Sequence, residues 1–289
     1  MNRQPVRGGW LKAPPFRYAR PRTLGAALKL LAEGGETARL LAGGQSLVPA
    51  LNMRLLEPKL LIDINEVSEL NGISETRNGI RVGALTRQAV LGASTIVARR
   101  APLLTAAVPF IAHEAIRNRG TFGGSLAQAD PAAELPACVV ALDAMLEIAS
   151  PQGLRRVPSR DFFKGVYETA LARDEILVAA EIPIQRGETL FLKLARRHGD
   201  YAMVGLAGWA MVQQGRIAEA RLVFFGTDIR AIEAKAASAA LATSVEAAIA
   251  ALDHDLTPVA DFNASAAMKR HLAGALLRRA CAAVMARAA

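Results

Sequence analysis

Two stretches of this 289-residue chain place residues in an order that suits chemistry: "AGGQSLVPALNMRL" at 42–55 and "TFGGSLAQADPAAELPA" at 121–137. Each has a glycine pair, then a serine, then a run able to start a helix. Glycine lets backbone amides approach a ligand closely and adopt conformations closed to other residues. Successive N–H groups can then form a concavity for an anion. One Gly-Gly pair is as well explained by an ordinary turn, but two of matching form suit a ligand with two phosphates. The spacing G-x-G-x-x-G is absent from both, which argues against a Rossmann site. G-x-x-x-x-G-K-[ST] is absent too, which excludes a P-loop ATPase. Asp130 and Glu134 stand four apart, as ligand contacts or as acids favoured by a helix dipole. Lys193 lies between Leu192 and Leu194, a pattern that equally suits the solvent face of a strand. Asp200–Tyr201 reads as a turn or as a segment covering a ligand. "GGSLA" at 123–127 approximates the nucleophile elbow G-x-S-x-G, with Ser125 as nucleophile and Asp200 and His254 downstream. The "AIRNRGTF" before it is polar, where that motif needs a buried strand.

These residues need a scaffold. Hydrophobic residues make up 52% and charged residues 21%, and 289 residues suffice for two domains with substantial cores. The formal charge of +9 reads either as a solvated surface that happens to be basic or as a match to an acidic partner, such as a nucleotide phosphate or an acidic protein. The basic residues come as scattered pairs with few aromatics, and no nucleic-acid motif occurs. Cys138 and Cys281 are too few for a zinc or iron–sulfur site and read as buried free thiols, and His113, His198, His254 and His271 have no metal-site spacing. The start lacks a signal-peptide core, and no apolar stretch is long enough to span a bilayer. A cytoplasmic protein is expected.

Residues 1–13 are expected to be an extension. Thr23 should cap a helix to about Ala32 whose Leu24, Ala27, Leu28 and Leu31 recur at helical spacing, ended by Gly34–Gly35. "TARLLAGG" predicts a strand entering the first loop, and Ser46 a cap for the next helix. "KLLIDIN" predicts another strand. A hairpin is expected over 70–86 with Asn78–Gly79 as its turn, then a helix over 87–92 capped by Thr86, and a helical stretch over about 101–114. "ELPACVVALDAMLEIAS" reads as helix then strand, and "GLRRVPSRDFF" and "EILVAAEIPI" as strands. Three strands are expected over 190–226, with "QQGR" a turn, then helices over 229–252 and 264–288. In the last, Leu272, Leu276, Arg279, Ala280 and Val284 trace a core face. A boundary falls near 187. Mixed elements in both halves mean α+β or α/β.

The two glycine stretches, with "RNRG" before the second, resemble the two flavin-binding signatures of the FAD-carrying medium subunit of molybdenum hydroxylases. "PPFRYARPRTLGAALKLLAE", "EILVAAEIP" and "FLKLARRHGDYAMVGLA" resemble that family's opening, the close of its flavin domain and the start of its C-terminal domain. Order and spacing agree from about 14 to 289. The resemblance implies an α+β fold: a vanillyl-alcohol-oxidase (PCMH-type) FAD-binding domain over 14–187, in subdomains of about 14–66 and 67–187. A C-terminal α/β domain with a small antiparallel sheet and helices would occupy 188–289. Carried over residue by residue, it implies FAD contacts from Ala42, Gly43, Gly44, Gln45, Ser46 and Leu47 in one loop. The other would give Thr121, Gly123, Gly124 and Ser125, joined by Glu134, Ile111, Leu177, Lys193 and Tyr201; Asp130, four residues before Glu134, is added as a candidate contact from its position alone. Gln45, Phe122 and Ser125 depart from the family's usual residues.

The implied activity is electron transfer. A large subunit with molybdenum cofactor would oxidise substrate, and a small subunit with two 2Fe–2S clusters would feed electrons to this FAD, for an external acceptor. The implied assembly is a heterotrimer of large, medium and small subunits, or its dimer, with no metal held here. The competing readings are a stand-alone FAD oxidase and a serine hydrolase using Ser125.

Overall fold

The computed structural model describes residues 13–288, so the expected extension lies, but for Ala13, outside the described residues. The first unit runs β1 Arg17–Ala19, α1 Leu24–Gly34, β2 Ala38–Leu41, α2 Leu47–Asn52 and β3 Leu60–Asp63. Its strands form a parallel sheet in the order β1-β3-β2. The hydroxyl of Thr23 accepts from Ala26 N and starts α1, which buries Ala27, Leu28 and Leu31. Gly35, at φ 51, ends it in a conformation that favours glycine. All four residues of β3 are buried, as the centre of a parallel sheet requires. Ser46 does not cap α2: its backbone is already helical and its side chain makes no cap bond.

The second unit contains β4 Ile73–Thr76, β5 Gly79–Gly83, α3 Gln88–Ala93, α4 Thr95–Arg100, α5 Pro102–Ala107, α6 Glu114–Arg117, α7 Phe122–Gln128 and α8 Glu134–Ala141. It continues through β6 Met145–Ser150, β7 Gly153–Pro158, α9 Ser159–Phe162, β8 Phe163–Gly165, β9 Glu168–Thr169 and β10 Ile176–Pro183. The main sheet is antiparallel, β4-β5-β10-β6-β7, with the apolar β10 at its centre. Three local expectations change. Thr76 pairs with Gly79, so the turn residues are Arg77 and Asn78. Gly79 is a strand residue whose Cβ would lie 1.9 Å from Ile182 O, so glycine serves close packing there. Thr86 caps nothing; its hydroxyl donates to Gly72 O. The stretch 101–114 is broken into α5, a 3-10 turn over Val108–Phe110 and the start of α6, because Pro109 removes a backbone donor.

The third unit holds β11 Glu188–Leu194, β12 Val204–Gln213, β13 Arg216–Phe225, β14 Ile232–Glu233, α10 Lys235–Ala240, α11 Val245–Asp255 and α12 Ala266–Ala288. Its antiparallel sheet β11-β12-β13-β14 turns between β12 and β13 on Gln214 (φ 50) and Gly215 (φ 72), both left-handed as a tight hairpin requires. One face buries Leu190, Leu206 and Phe224 against the helices. The other buries Ala207, Trp209 and Phe225 against the second unit's core. Helix α8 lies between, buried at all eight residues, and Trp209 Nε1 donates to Ala141 O across that contact. The buried face of α12 is Ala273, Leu276, Leu277, Ala280, Cys281 and Val284; Leu272 is partly buried and Arg279 exposed, which corrects the expected face. The fold is α+β, and among the described residues no helix is long and apolar enough to cross a membrane.

Candidate functional site

A cavity of about 620 Å³ opens where the first unit meets the second. Ala42, Gly43, Gly44, Gln45, Ser46 and Leu47 line one wall, and Thr121, Gly123, Gly124 and Ser125 another. Ile111, Leu177, Asp130, Glu134 and Tyr201 complete the sequence-predicted residues found there. Lys193 is the predicted residue that does not line it.

The two glycine stretches are brought into direct contact. A Cβ on Gly43 would lie 2.4 Å from Arg119 O and 2.8 Å from Gly120 Cα, all backbone that cannot turn aside. Their chemistry differs. In the first loop the N–H groups of Gly43, Gly44, Gln45, Ser46 and Leu47 donate to no acceptor among the described residues. Gly44 sits at φ 73, which only glycine adopts freely. Five amides without an internal acceptor, on residues that line one wall, are available to an anion. In the second stretch the amides are committed: Phe122 N to Thr86 O (2.8 Å), Gly123 N to Ala84 O (2.8 Å), Gly124 N to Thr121 Oγ1 (3.1 Å) and Ser125 N to Thr121 O (3.2 Å). Gly123 is there for packing, since a Cβ would meet that of Ala84 at 2.4 Å. The second stretch therefore offers the cavity Thr121 N–H and the Ser125 hydroxyl. No histidine lines the cavity, so the Ser–His pairing that a serine hydrolase would use is not assembled at Ser125.

At the acidic end, Glu134 opens α8 and is 7% exposed. Burial pushes its carboxyl above the ordinary value, and the Lys193 ammonium pulls it back. Lys193 Nζ donates to Glu134 Oε1 (2.6 Å), Phe110 O (2.7 Å) and Asp200 O (2.7 Å), which uses all three protons. Its side chain is 2% exposed, so it is neither on a solvent face nor free for a ligand. It ties α8 to the segment Gly199–Tyr201, which reaches over the cavity. Gly199, at φ 88, lets that segment approach Ala112 O. Burial also raises Asp130, against hydrogen bonds from Ala132 N and Tyr167. Tyr201 is raised by burial of its phenol, although the residue as a whole is 67% exposed at the mouth.

Sequence reading missed Gln88, Gly120, Gly199 and the apolar Ile64 and Leu85, which also line the cavity. Gly120 precedes a quoted motif and was findable; Gln88 carries no local signal. Its Oε1 is buried without a hydrogen-bond donor. Anion-binding amides, apolar walls and a volume within the usual ligand range fit an elongated molecule with a diphosphate and ring systems.

Comparison with known proteins gives two family matches. The model for the FAD binding domain in molybdopterin dehydrogenase matches residues 14–185, and that for the CO dehydrogenase flavoprotein C-terminal domain matches 189–284. The chain is 38% identical over 287 residues to the 6-hydroxypseudooxynicotine dehydrogenase complex subunit alpha of Paenarthrobacter nicotinovorans, covering 96% of this chain and 97% of that one. It is 36% identical to the carbon monoxide dehydrogenase medium chain of Hydrogenophaga pseudoflava, covering 96% and 99%. A chain of quinoline 2-oxidoreductase from Pseudomonas putida 86 matches its structure with a TM-score of 0.92 at 37% identity, covering 96% and 99%.

Proposed function

This chain belongs to the family of FAD-binding medium subunits of molybdenum hydroxylases, and on that premise we propose that its two glycine stretches hold one FAD between them for electron transfer. The observation that carries this is the set of five unspent amides in a cavity that both stretches line. FAD, when bound, supplies reversible uptake of electrons.

The first-loop amides receive the diphosphate, and Thr121 N–H and the Ser125 hydroxyl add donors from the opposite wall. Ile111 and Leu177 present apolar surface to a ring. Glu134, hydrogen-bonded to Lys193, and Asp130 present acceptors to hydroxyl or N–H groups. Tyr201 stands over the mouth and limits access by water and by an acceptor. Lys193 acts through what it ties together rather than by contact. In this reading residues 14–66 and 67–187 are the two halves of the FAD domain, and 188–289 is the unit that supplies Lys193 and Tyr201.

The chain has two cysteines, too few for a 2Fe–2S cluster of its own. In this reading, as membership of the family implies, electrons reach this subunit from a small iron–sulfur subunit, fed in turn by a large subunit with molybdenum cofactor, in a cytoplasmic heterotrimer or its dimer. The external acceptor takes them from the mouth guarded by Tyr201.

The test is FAD titration of the purified chain, read by flavin absorbance and by the melting temperature, which a ligand of the folded state must raise. Saturable binding that is lost on Gly44→Asp supports the site. A chain that takes up no FAD, alone or with its partner subunits, ends the proposal.

A further inference from the structure

The two glycine stretches belong to different units, so something must fix the distance between them. Asn65, two residues beyond β3, does so on one side. Its Nδ2 donates to Ala42 O (2.9 Å) and to Asp63 Oδ1 (2.6 Å), and its backbone N donates to the same carboxylate oxygen (2.9 Å). Asp63 is buried to 7% exposure and also accepts from the Tyr18 hydroxyl, so the Asn65 amide is held in one orientation. Its Oδ1 then faces the other unit and accepts from Arg87 Nη2 (2.7 Å). Arg87 Nη1 donates to Arg119 O, the carbonyl against which Gly43 is pressed. The backbone around Arg87 is already laced to the second stretch, by Gln88 N to Gly120 O (2.9 Å) and Phe122 N to Thr86 O (2.8 Å).

We propose that Arg87 and Asn65 are positioning residues: a two-residue strap that sets the spacing of the two glycine stretches and thereby the affinity for FAD. This rests on the FAD reading above. Neither residue lines the cavity, so neither needs to touch the ligand.

Each stretch keeps its own fold without the strap. The first hangs from the β2–β3 ladder and from Ile64 N to Leu41 O; the second keeps its backbone pairs with Thr86 and Ala84. Cutting the strap at Arg87 frees only their relative position, whereas cutting it at Asn65 also removes the bond to Ala42 O inside the first unit. It should therefore cost ligand affinity and leave the unliganded fold nearly as stable. The choice of arginine fits the task. A planar fork donates from two separate nitrogens in fixed directions, whereas a lysine ammonium would need both acceptors gathered around one nitrogen. Both acceptors are neutral, and among the described residues no carboxylate lies within ion-pair distance of the guanidinium. Burial and the neighbouring Arg119 cation both push the Arg87 pKa down. A diphosphate nearby would relieve that, so the charge and the fork have to be separated by experiment.

The variants are Arg87→Met, Arg87→Lys, Asn65→Ala, the double variant Arg87→Met/Asn65→Ala, and Arg77→Met as a charge control in the exposed hairpin turn. Each is measured as full chain for FAD dissociation constant and for melting temperature without FAD. The strap requires Arg87→Met and Asn65→Ala each to weaken FAD by about tenfold or more, the size of one charge-assisted hydrogen bond. It requires Arg87→Lys to lose most of the same affinity. It requires the double variant to be no worse than the worse single, because both cut one connection. Arg77→Met should bind as the parent does. Three results overturn it: unchanged affinity in both single variants, parental affinity in Arg87→Lys, or losses that multiply. A fourth does so as well: affinity loss that follows a falling melting temperature in both single variants, which makes the pair ordinary structural props. A parent chain that binds no FAD removes the FAD reading and the strap together; a parent that binds with indifferent variants removes the strap alone.

Discussion

Gly43→Ala tests the contact on which the site is built. The added Cβ would lie 2.4 Å from Arg119 O, where ordinary contact begins at 3.4 Å, so the two stretches must separate by about 1 Å. The obstacle is backbone on both sides, and no rotamer change relieves it. Overpacking of this kind costs about 1–3 kcal/mol in stability. The separation also draws the first-loop amides away from the donors of the opposite wall. Loss of one good hydrogen bond to a charged group, about 1.5–3 kcal/mol, weakens binding roughly ten- to a hundredfold. The assay is FAD titration by fluorescence quenching, with far-UV circular dichroism melting of the FAD-free protein. Gly25→Ala is the control: it lies in α1 with nothing within 4 Å, and should gain about 0.5–1 kcal/mol while leaving FAD affinity alone. Gly43→Ala with parental affinity and parental melting temperature would refute the view that the stretches must touch.

Lys193→Met leaves the buried Glu134 carboxylate and two carbonyls without a donor and should cost about 3–5 kcal/mol, with Glu134→Gln in the same chain recovering part of it; urea melts report both. Burial pushes the Asp63 carboxyl up, but hydrogen bonds from Tyr18 and Asn65 outweigh it and leave the pKa below its ordinary 3.8. A depressed carboxyl stabilises the fold above that value and loses its contribution as pH falls through the folded-state pKa, so Asp63→Asn should flatten the stability–pH curve below about pH 4. Burial raises the Cys138 thiol well above its ordinary value and the Cys281 thiol to about 11, so neither should react with a thiol reagent at pH 8 until the protein is unfolded. Trp209→Phe removes the hydrogen bond to Ala141 O and should cost about 1 kcal/mol, read as a drop of a few degrees in melting temperature.

Much of the fold was legible because the signals were local. Thr23 before Leu24, Ala27, Leu28 and Leu31 specifies α1 through a cap and an apolar repeat that water drives to one buried face. Gln214–Gly215 specifies a hairpin through its demand for positive φ. The misreadings arose where a residue suited to a local task serves a distant one. Asn78–Gly79 looks like a turn, yet Gly79 is glycine because Ile182 O comes close from β10. Thr86 looks like a cap, yet its hydroxyl is taken by Gly72 O. Arg279 fell into the expected face of α12 by counting, while the bound sheet selects a face rotated toward Ala273, Leu277 and Cys281.

The sequence by itself determined that two glycine stretches exist and which residue types surround them, and their resemblance to a family pointed to FAD as the ligand proposed for them. Glycine pairs and short motifs are properties of neighbouring residues, so they survive in one dimension. Only the tertiary structure decided that the two look-alikes differ, one with its amides free and one with them spent on Thr86, Ala84 and Thr121. Only it turned Lys193 inward onto three acceptors and joined Asn65 to Arg87. A hydrogen bond is satisfied by whatever the fold brings within 3 Å, and nothing in the order of residues along the chain records that partner.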